Sequence, residues 1–286
     1  MKKVLIIASL ALIFASCQKD ATQDLGRSTL PEDGVMRFTT QVSESRAGLT
    51  TSTLTNFGIY TYYDSAYTYE NVKVEKNGSE YQSEETMRFE GEDDNITISA
   101  YAPYSSTPSS FTVLSNQSTE DGVKASDLLY ACSEVTPSNP NNSNDIYYDS
   151  ENQAINIIFN HILAKTTINI TLGTQWSADL VNPITSVTIS GTNTTASLDF
   201  NSEYPITSIS NAASISAMYL DDFALGLNPT LSYEAILIPQ QVAKGELKIV
   251  ITTDNGSFTW YSDKALSLNS DENNILNLEI GTILNY

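Results

Sequence analysis

The stretch I-N-I-I-F-N-H-I-L-A-K-T-T-I-N-I-T-L, residues 155–172, decides the fold of this chain. Two strand patterns abut inside it. An apolar run from Ile155 to Leu163 passes directly into Lys165–Leu172, where Ile168, Ile170 and Leu172 share one face. Residues i and i+2 line one face of a strand, and Ile and Thr fit a pleated, half-buried surface. One strand ends where the next begins, so residues 160–166 read as the join between two β-units.

The same period of two recurs on both sides of the join. Met36, Phe38, Thr40 and Val42 alternate with Arg37, Thr39 and Gln41. Phe57, Ile59 and Tyr63 follow, then Ile96, Ile98, Ala100 and Ala102. Beyond the join come Val187 and Ile189, Leu198 and Phe200, Ala235–Pro239, Leu247–Thr253, Phe258 and Trp260, and finally Leu276, Leu278 and Ile280. Turn residues separate these runs, most plainly in T-P-S-N-P-N-N-S-N-D, residues 136–145. One short helix is expected near Ser126–Tyr130. Short strands without crossover helices predict an all-β chain of antiparallel sandwiches. One sandwich takes about 100 residues, so residues 34–162 and 163–286 are assigned one each.

The chain has 286 residues, with 14 Lys and Arg against 34 Asp and Glu, a formal charge of −20. Nucleic-acid binding requires clustered cations to displace counterions, which this balance excludes. One His and two Cys make a poor zinc ligand set and no disulfide scaffold. His161 would be the base of any Ser-His-Asp site, but no G-x-S-x-G or H-E-x-x-H is present. It reads instead as a structural histidine at the join. Cys132 in L-L-Y-A-C-S reads as a buried, inert thiol. Glu84-Glu85 and Asp221-Asp222 are adjacent, so in a strand they point to opposite faces and form no catalytic pair. The oxygen-rich turns Glu90–Asn95 and Ser270–Asn274 lack calcium-loop spacing. No enzyme activity, cofactor or metal is expected.

Residues 1–16 read as an export signal. Met1-Lys2-Lys3 is basic and Val4–Phe14 is apolar, yet this run is shorter than the about 20 residues that span a bilayer. Ala15 and Ser16 precede Cys17 as in a bacterial lipobox, with Phe14 where Leu is usual. Cleavage before Cys17 and acylation of its thiol and amine predict an outer-membrane lipoprotein, because several acyl chains anchor stably. The competing reading is a plain signal peptide. Residues 17–33 are polar and aperiodic, as expected of a flexible tether. Asp64-Ser65-Ala66 matches a short O-glycosylation signal of exported Bacteroidota proteins, with Ser65 as acceptor.

Nine segments in this order resemble the fimbrillin (Mfa-like) family, the pilin-type lipoproteins of Bacteroidota. They are the lipobox Cys17, M-R-F-T at 36–39, S-R-A at 45–47, L-T-N-F-G-I-Y-T-Y at 54–62 and I-S-A-Y-A-P at 98–103. D-L-L-Y-A at 127–131, F-N-H-I-L-A-K at 159–165, I-T-S-V-T-I-S-G at 184–191 and I-P-Q at 238–240 complete the set. The resemblance spans nearly all of the mature chain. It implies two transthyretin-like β-sandwich domains in tandem, export, and assembly into fimbriae at the cell surface with other fimbrial subunits.

The resemblance also implies a mechanism. An arginine-specific protease removes the first strand, and a strand from a neighbouring subunit fills the groove left behind. The chain has four Arg, at 27, 37, 46 and 88. Cutting between Arg46 and Ala47 removes the strand bearing Met36, Phe38 and Val42, whereas cutting at Arg27 removes only tether. The donor candidate is the C-terminal segment with Leu276, Leu278, Ile280 and Leu284; the other reading makes it an edge strand of its own domain. The end at Tyr286 points to a tip, accessory or anchoring subunit. A monomeric surface lipoprotein that binds glycans or host proteins is the alternative, since 16 Tyr and two Trp offer stacking surfaces.

Overall fold

The computed structural model describes residues 29–43, 48–63, 66–176, 181–224, 226–270 and 272–281. The signal segment, Cys17, Arg27, Arg46, Ala47, Ser65 and Leu284 lie outside them. The described chain is nearly all β, and its strands surround two buried cores.

The first core is covered by one sheet. Its order starts with β1 (Phe38–Val42) beside β9 (Ala154–His161), followed by β7 (Leu129–Val135) and β5 (Ile96–Ala102). It continues through β2 (Asn56–Tyr63) and β3 (Ala66–Asn77) to β4 (Glu80–Ser83), while β8 (Ile146–Asp149) also pairs with β9. Alternation places Phe57, Ile59, Ile96, Ile98, Ile155, Ile157 and Phe159 inside, each fully buried. Residues 29–33, expected as the end of a tether, lie against this unit. Thr29 donates its N–H to Glu92 at 2.9 Å, and the Tyr148 hydroxyl donates to the Thr29 carbonyl at 2.7 Å.

The second core lies between two sheets. One holds β13 (Met218–Tyr219), β14 (Thr230–Leu237), β10 (Ala164–Leu172) and β19 (Asn273–Ile280), in that order. The other holds β12 (Ile206–Ser216), β11 (Ile184–Leu198), β16 (Lys248–Thr253) and β17 (Gly256–Tyr261). The short pair β15 (Gln240–Val242) and β18 (Leu266–Leu268) stands apart. Ile168, Ile170 and Leu172 face inward, as their alternation predicts.

The expectation of antiparallel pairing fails at two ladders. β1 runs parallel to β9, and β19 runs parallel to β10. Each joins strands far apart in sequence, so no tight hairpin imposes an antiparallel return. The expected helix at Ser126–Tyr130 is also displaced. Helix α1 occupies Glu120–Ala125, where the Thr119 hydroxyl accepts from the Gly122 N–H and Glu120 pairs with Lys124. A polar cap outweighs the apolar L-L-Y run, which enters β7.

The segment between β5 and β7 belongs to both units. Its strand β6 (Ser110–Thr112) pairs with β11. Val113, Val123 and Leu128 enter the second core. Gln117, fully buried, exchanges two hydrogen bonds with the Ile236 backbone at 2.9 and 2.8 Å. In return, the ring of Phe200 stacks on Tyr101 at 4.3 Å, and its carbonyl accepts from Ser99 Oγ at 2.8 Å.

Candidate functional site: the first strand and its surroundings

The residues of β1 make it an edge strand with one apolar face. Met36 and Phe38 are 2% and 5% exposed, Thr40 and Val42 are half-buried, and Arg37, Thr39 and Gln41 point outward. The Phe38 ring meets Phe57 edge-on at 6.0 Å, and Phe57 meets Phe159 at 5.6 Å. Fully burying such a side chain is worth about 1.5–3 kcal/mol. Phe38 therefore anchors the strand more than any polar contact does.

The strand ladder holds β1 on one side, while an isolated bridge pairs Val35 with Arg88 just before it and the Val42 N–H donates to Thr51 Oγ1 at 2.9 Å. Phe38 through Val42 register with Ile155 through Phe159. Before the strand, Gly34 takes φ +65° in a turn whose N–H donates to Pro31. Met36 N–H donates to the Met87 carbonyl at 2.9 Å, and Arg88 reaches the Asp33 carbonyl. Among the described residues no strand pairs with the opposite edge of β1. That edge looks across a groove of about 550 Å³ towards the unpaired edge of β4, with Met36, Phe38, Tyr81, Gln82, Thr86 and Ala154 among its walls.

The chain is fixed again on both sides of residues 44–47. Ser43 N–H donates to the Phe159 carbonyl at 2.8 Å. Leu49 N–H donates to the Asp127 carboxylate at 2.8 Å, and the same oxygen lies 2.9 Å from His161 Nδ1. Asp127 and His161 are 1% and 3% exposed. Gly48 has φ +132°, and a side chain there would collide with the Asp127 carboxylate. The pair thus clamps the backbone immediately after the predicted cut site. The sequence marks His161 as structural at the join and names no partner for it. Both residues border apolar stretches, D-L-L-Y and H-I-L, and this is the one sequence signal that bears on their pairing.

Of the donor candidates, Leu278 and Ile280 are 4% and 5% exposed and Leu276 is half-buried, all against the second core. Their strand registers with β10 from Lys165↔Asn273 to Leu172↔Ile280. Side-chain bonds reinforce it: Thr167 to Asn273 at 2.9 Å and Asn169 to Asn277 at 3.0 Å. The structure thus does not bring Leu276, Leu278 and Ile280 to the groove beside β1. Cys132 is half-buried, and burial pushes its thiol above the ordinary range. Among the described residues no group of three or more His, Cys, Asp or Glu could hold a metal, and no helix is long and apolar enough to cross a membrane.

These features define an all-β protein whose most distinctive local element is a one-sided, apolar edge strand at its beginning. A family model described as fimbrillin-like matches residues 40–285, and the chain belongs to that family. No curated protein matches it. Among solved structures, it is similar to a protein of Bacteroides ovatus provisionally assigned to cell adhesion, at 15% identity and TM-score 0.60, covering 86% of this chain and 91% of that one. It is also similar to one of Bacteroides uniformis with the same provisional assignment, at 17% identity and TM-score 0.57, covering 88% and 94%. At such identities these likenesses establish a shared fold.

Proposed function

We propose that this chain is a fimbrial subunit, or an accessory or tip adhesin, assembled at the cell surface by strand exchange. Export and acylation at Cys17 deliver it to the outer membrane. An arginine-specific protease cuts between Arg46 and Ala47, and the strand bearing Met36, Phe38 and Val42 leaves. A strand from another fimbrial subunit takes its place. Ser65 is a candidate for O-glycosylation on the way. In this reading the chain carries two transthyretin-like sandwich domains in tandem, one around each core.

The observation that carries this reading is the construction of β1. The segment buries Met36 and Phe38, and β1 itself ladders with β9 alone among the described strands. Its departure would bare Phe57 and Phe159 and the backbone edge of β9. Exposed apolar surface beside an unpaired strand edge favours capture of another strand. The clamp on Leu49 fits the same scheme, because it fixes the body immediately after the cut. The segment containing Leu276, Leu278, Ile280 and Leu284 is the donor only where it leaves its ladder on β10; retained there, it is an edge strand of its own unit and the donor is a strand of another subunit.

Digestion of the purified chain with an arginine-specific protease tests this. The expected product starts at Ala47 and forms oligomers on size exclusion, whereas Arg46→Gln remains uncut there and monomeric. A product that starts at Ala47, sheds the first strand and stays monomeric overturns the assembly mechanism.

A further inference from the structure

The join between the two units carries a second concave site, separate from the β1 groove. Its cavity is about 500 Å³, and Tyr130, Asp145, Asn160, Glu203, Tyr204 and Pro239 are among its lining residues. Small-molecule sites fall in the range of about 300–1,000 Å³ and favour the boundaries between domains.

Three features of this cavity point to one ligand chemistry. The first is Tyr204, which is 77% exposed although it is a large aromatic. It is held on a stiff turn. Asp199 N–H donates to the Pro205 carbonyl at 2.8 Å, Tyr204 N–H to Ser202 Oγ at 3.2 Å, and the Tyr130 hydroxyl to the Ser202 carbonyl at 2.8 Å. An exposed ring carried on a hydrogen-bonded turn offers an apolar face for stacking. The second is a carboxylate–amide pair: Asn160 Nδ2 donates to Asp145 Oδ2 at 2.8 Å. The Asp145 carbonyl in turn accepts from Ile158 N–H at 2.7 Å, which fixes its backbone. The pair offers a free carboxylate oxygen as acceptor and a second amide N–H as donor, side by side. Adjacent hydroxyls of a pyranose each need one of these. The third is charge. Asp145 and Glu203 line the cavity, and no Lys or Arg does.

We propose that this cavity binds a neutral saccharide, with Tyr204 stacked on the apolar face of a sugar ring and Asp145 with Asn160 bonded to its hydroxyls. Acidic walls without Lys or Arg disfavour sialylated, uronic or phosphorylated sugars. A guanidinium fits less well, because Asn160 already occupies one carboxylate oxygen of Asp145. This site specifies what the adhesin reading leaves open and rests on that reading for its biological setting. Its geometry does not depend on strand removal, so the uncut chain should bind.

Isothermal titration of the uncut chain tests it. The titrants are glucose, galactose, mannose, fucose, N-acetylglucosamine and N-acetylgalactosamine, with sialyllactose and an arginine-rich peptide as competitors of other chemistry. Saturable binding of at least one neutral sugar with a millimolar or tighter Kd is expected. Tyr204→Ala and Asp145→Asn should each weaken it about tenfold, equivalent to about 1.4 kcal/mol. Tyr261→Ala, an exposed ring outside the cavity, should leave it unchanged. Binding of none of the six sugars, a preference for sialyllactose or the arginine peptide, or affinity that survives both cavity variants overturns the proposal. Tyr204→Ala should still polymerise after cleavage. Lost sugar binding with intact polymers therefore addresses this site, and intact sugar binding with no polymers addresses strand exchange.

Discussion

The first and last described strands occupy related places and are held in different ways. β1 lies parallel to β9 and β19 lies parallel to β10, each at an edge of its sheet. β9 and β10 are themselves consecutive, separated by Ile162 and Leu163. β1 spans five residues and depends on Met36 and Phe38. β19 spans eight, and polar rows tie it to β10 on the outer face as well. An edge held mainly by a few apolar anchors can be exchanged for another strand with similar anchors. An edge held by a long ladder and matched polar rows is built to stay.

Removing each strand outright should give the largest contrast. Loss of residues 34–45 should leave a soluble body that binds a hydrophobic dye or oligomerises, because the clamp on Leu49 and the rest of the first core persist. Truncation before Asn273 should collapse the second unit into insoluble protein, since Leu278 and Ile280 lose their places beside Ile168 and Ile170. Solubility and dye fluorescence of the two products check this. A soluble, dye-silent chain lacking β19 would erase the distinction.

Single anchors sharpen it. Phe38→Ala should cost about 3–5 kcal/mol, and Leu278→Ala about 2–5 kcal/mol, from lost burial and the cavities left behind. Denaturant titration measures both in the intact chain. After cleavage at Arg46 and loss of the first strand, the Phe38 cost should disappear entirely while the Leu278 cost persists.

The polar contacts come next. Thr39 Oγ1 donates to Asn156 Oδ1 at 3.0 Å, and Asn156 is buried with its amide nitrogen already unpartnered. Thr39→Val should therefore cost about 1–3 kcal/mol, the range for stranding a buried polar group. Asn277→Ala breaks an exposed bond to Asn169 and should cost about 0.5–1.5 kcal/mol. Equal effects from the two would mean that the polar rows of β19 matter as much as buried groups under β1.

Sequence made the apolar half of this architecture legible and left much of the polar half hidden. The alternation at 36–42 and 168–172 marks strands because each buries one face, whereas β2 and β5 bury both, with Tyr60 and Tyr101 in the other core. β12, I-T-S-I-S-N-A-A-S-I-S, shows no such alternation, since most of it is exposed and its pairing with β11 is interrupted by bulges. Parallel pairing was not legible either, because both parallel ladders join segments with no short connection to betray their direction. The Asp127–His161 clamp escaped for a related reason. It joins a side chain in the connection between α1 and β7 to one in β9, and spacing within either segment carries no trace of the other. At the candidate site, the apolar anchors were readable and the one-sided backbone support was not.

The weakest contact of β1 supplies the finest test. Arg37 Nη2 lies 2.7 Å from Asp33 Oδ2, with both side chains half exposed. The hydrogen bond from Arg37 holds the Asp33 carboxyl down at about 2, against an ordinary value of 3.8. A carboxyl depressed by folding favours the folded state above its unfolded value. That contribution is fully present at neutral pH and fades as pH falls from about 4 towards 2. Solvent and salt screen such an exposed pair strongly. The expected outcome is that Asp33→Asn leaves the neutral-pH melting temperature within error and slightly flattens its fall between pH 4 and 2, an effect lost in high salt. A large loss of stability at neutral pH would mean that β1 is held by its entry turn as well as by its apolar anchors, which would make it a harder strand to shed.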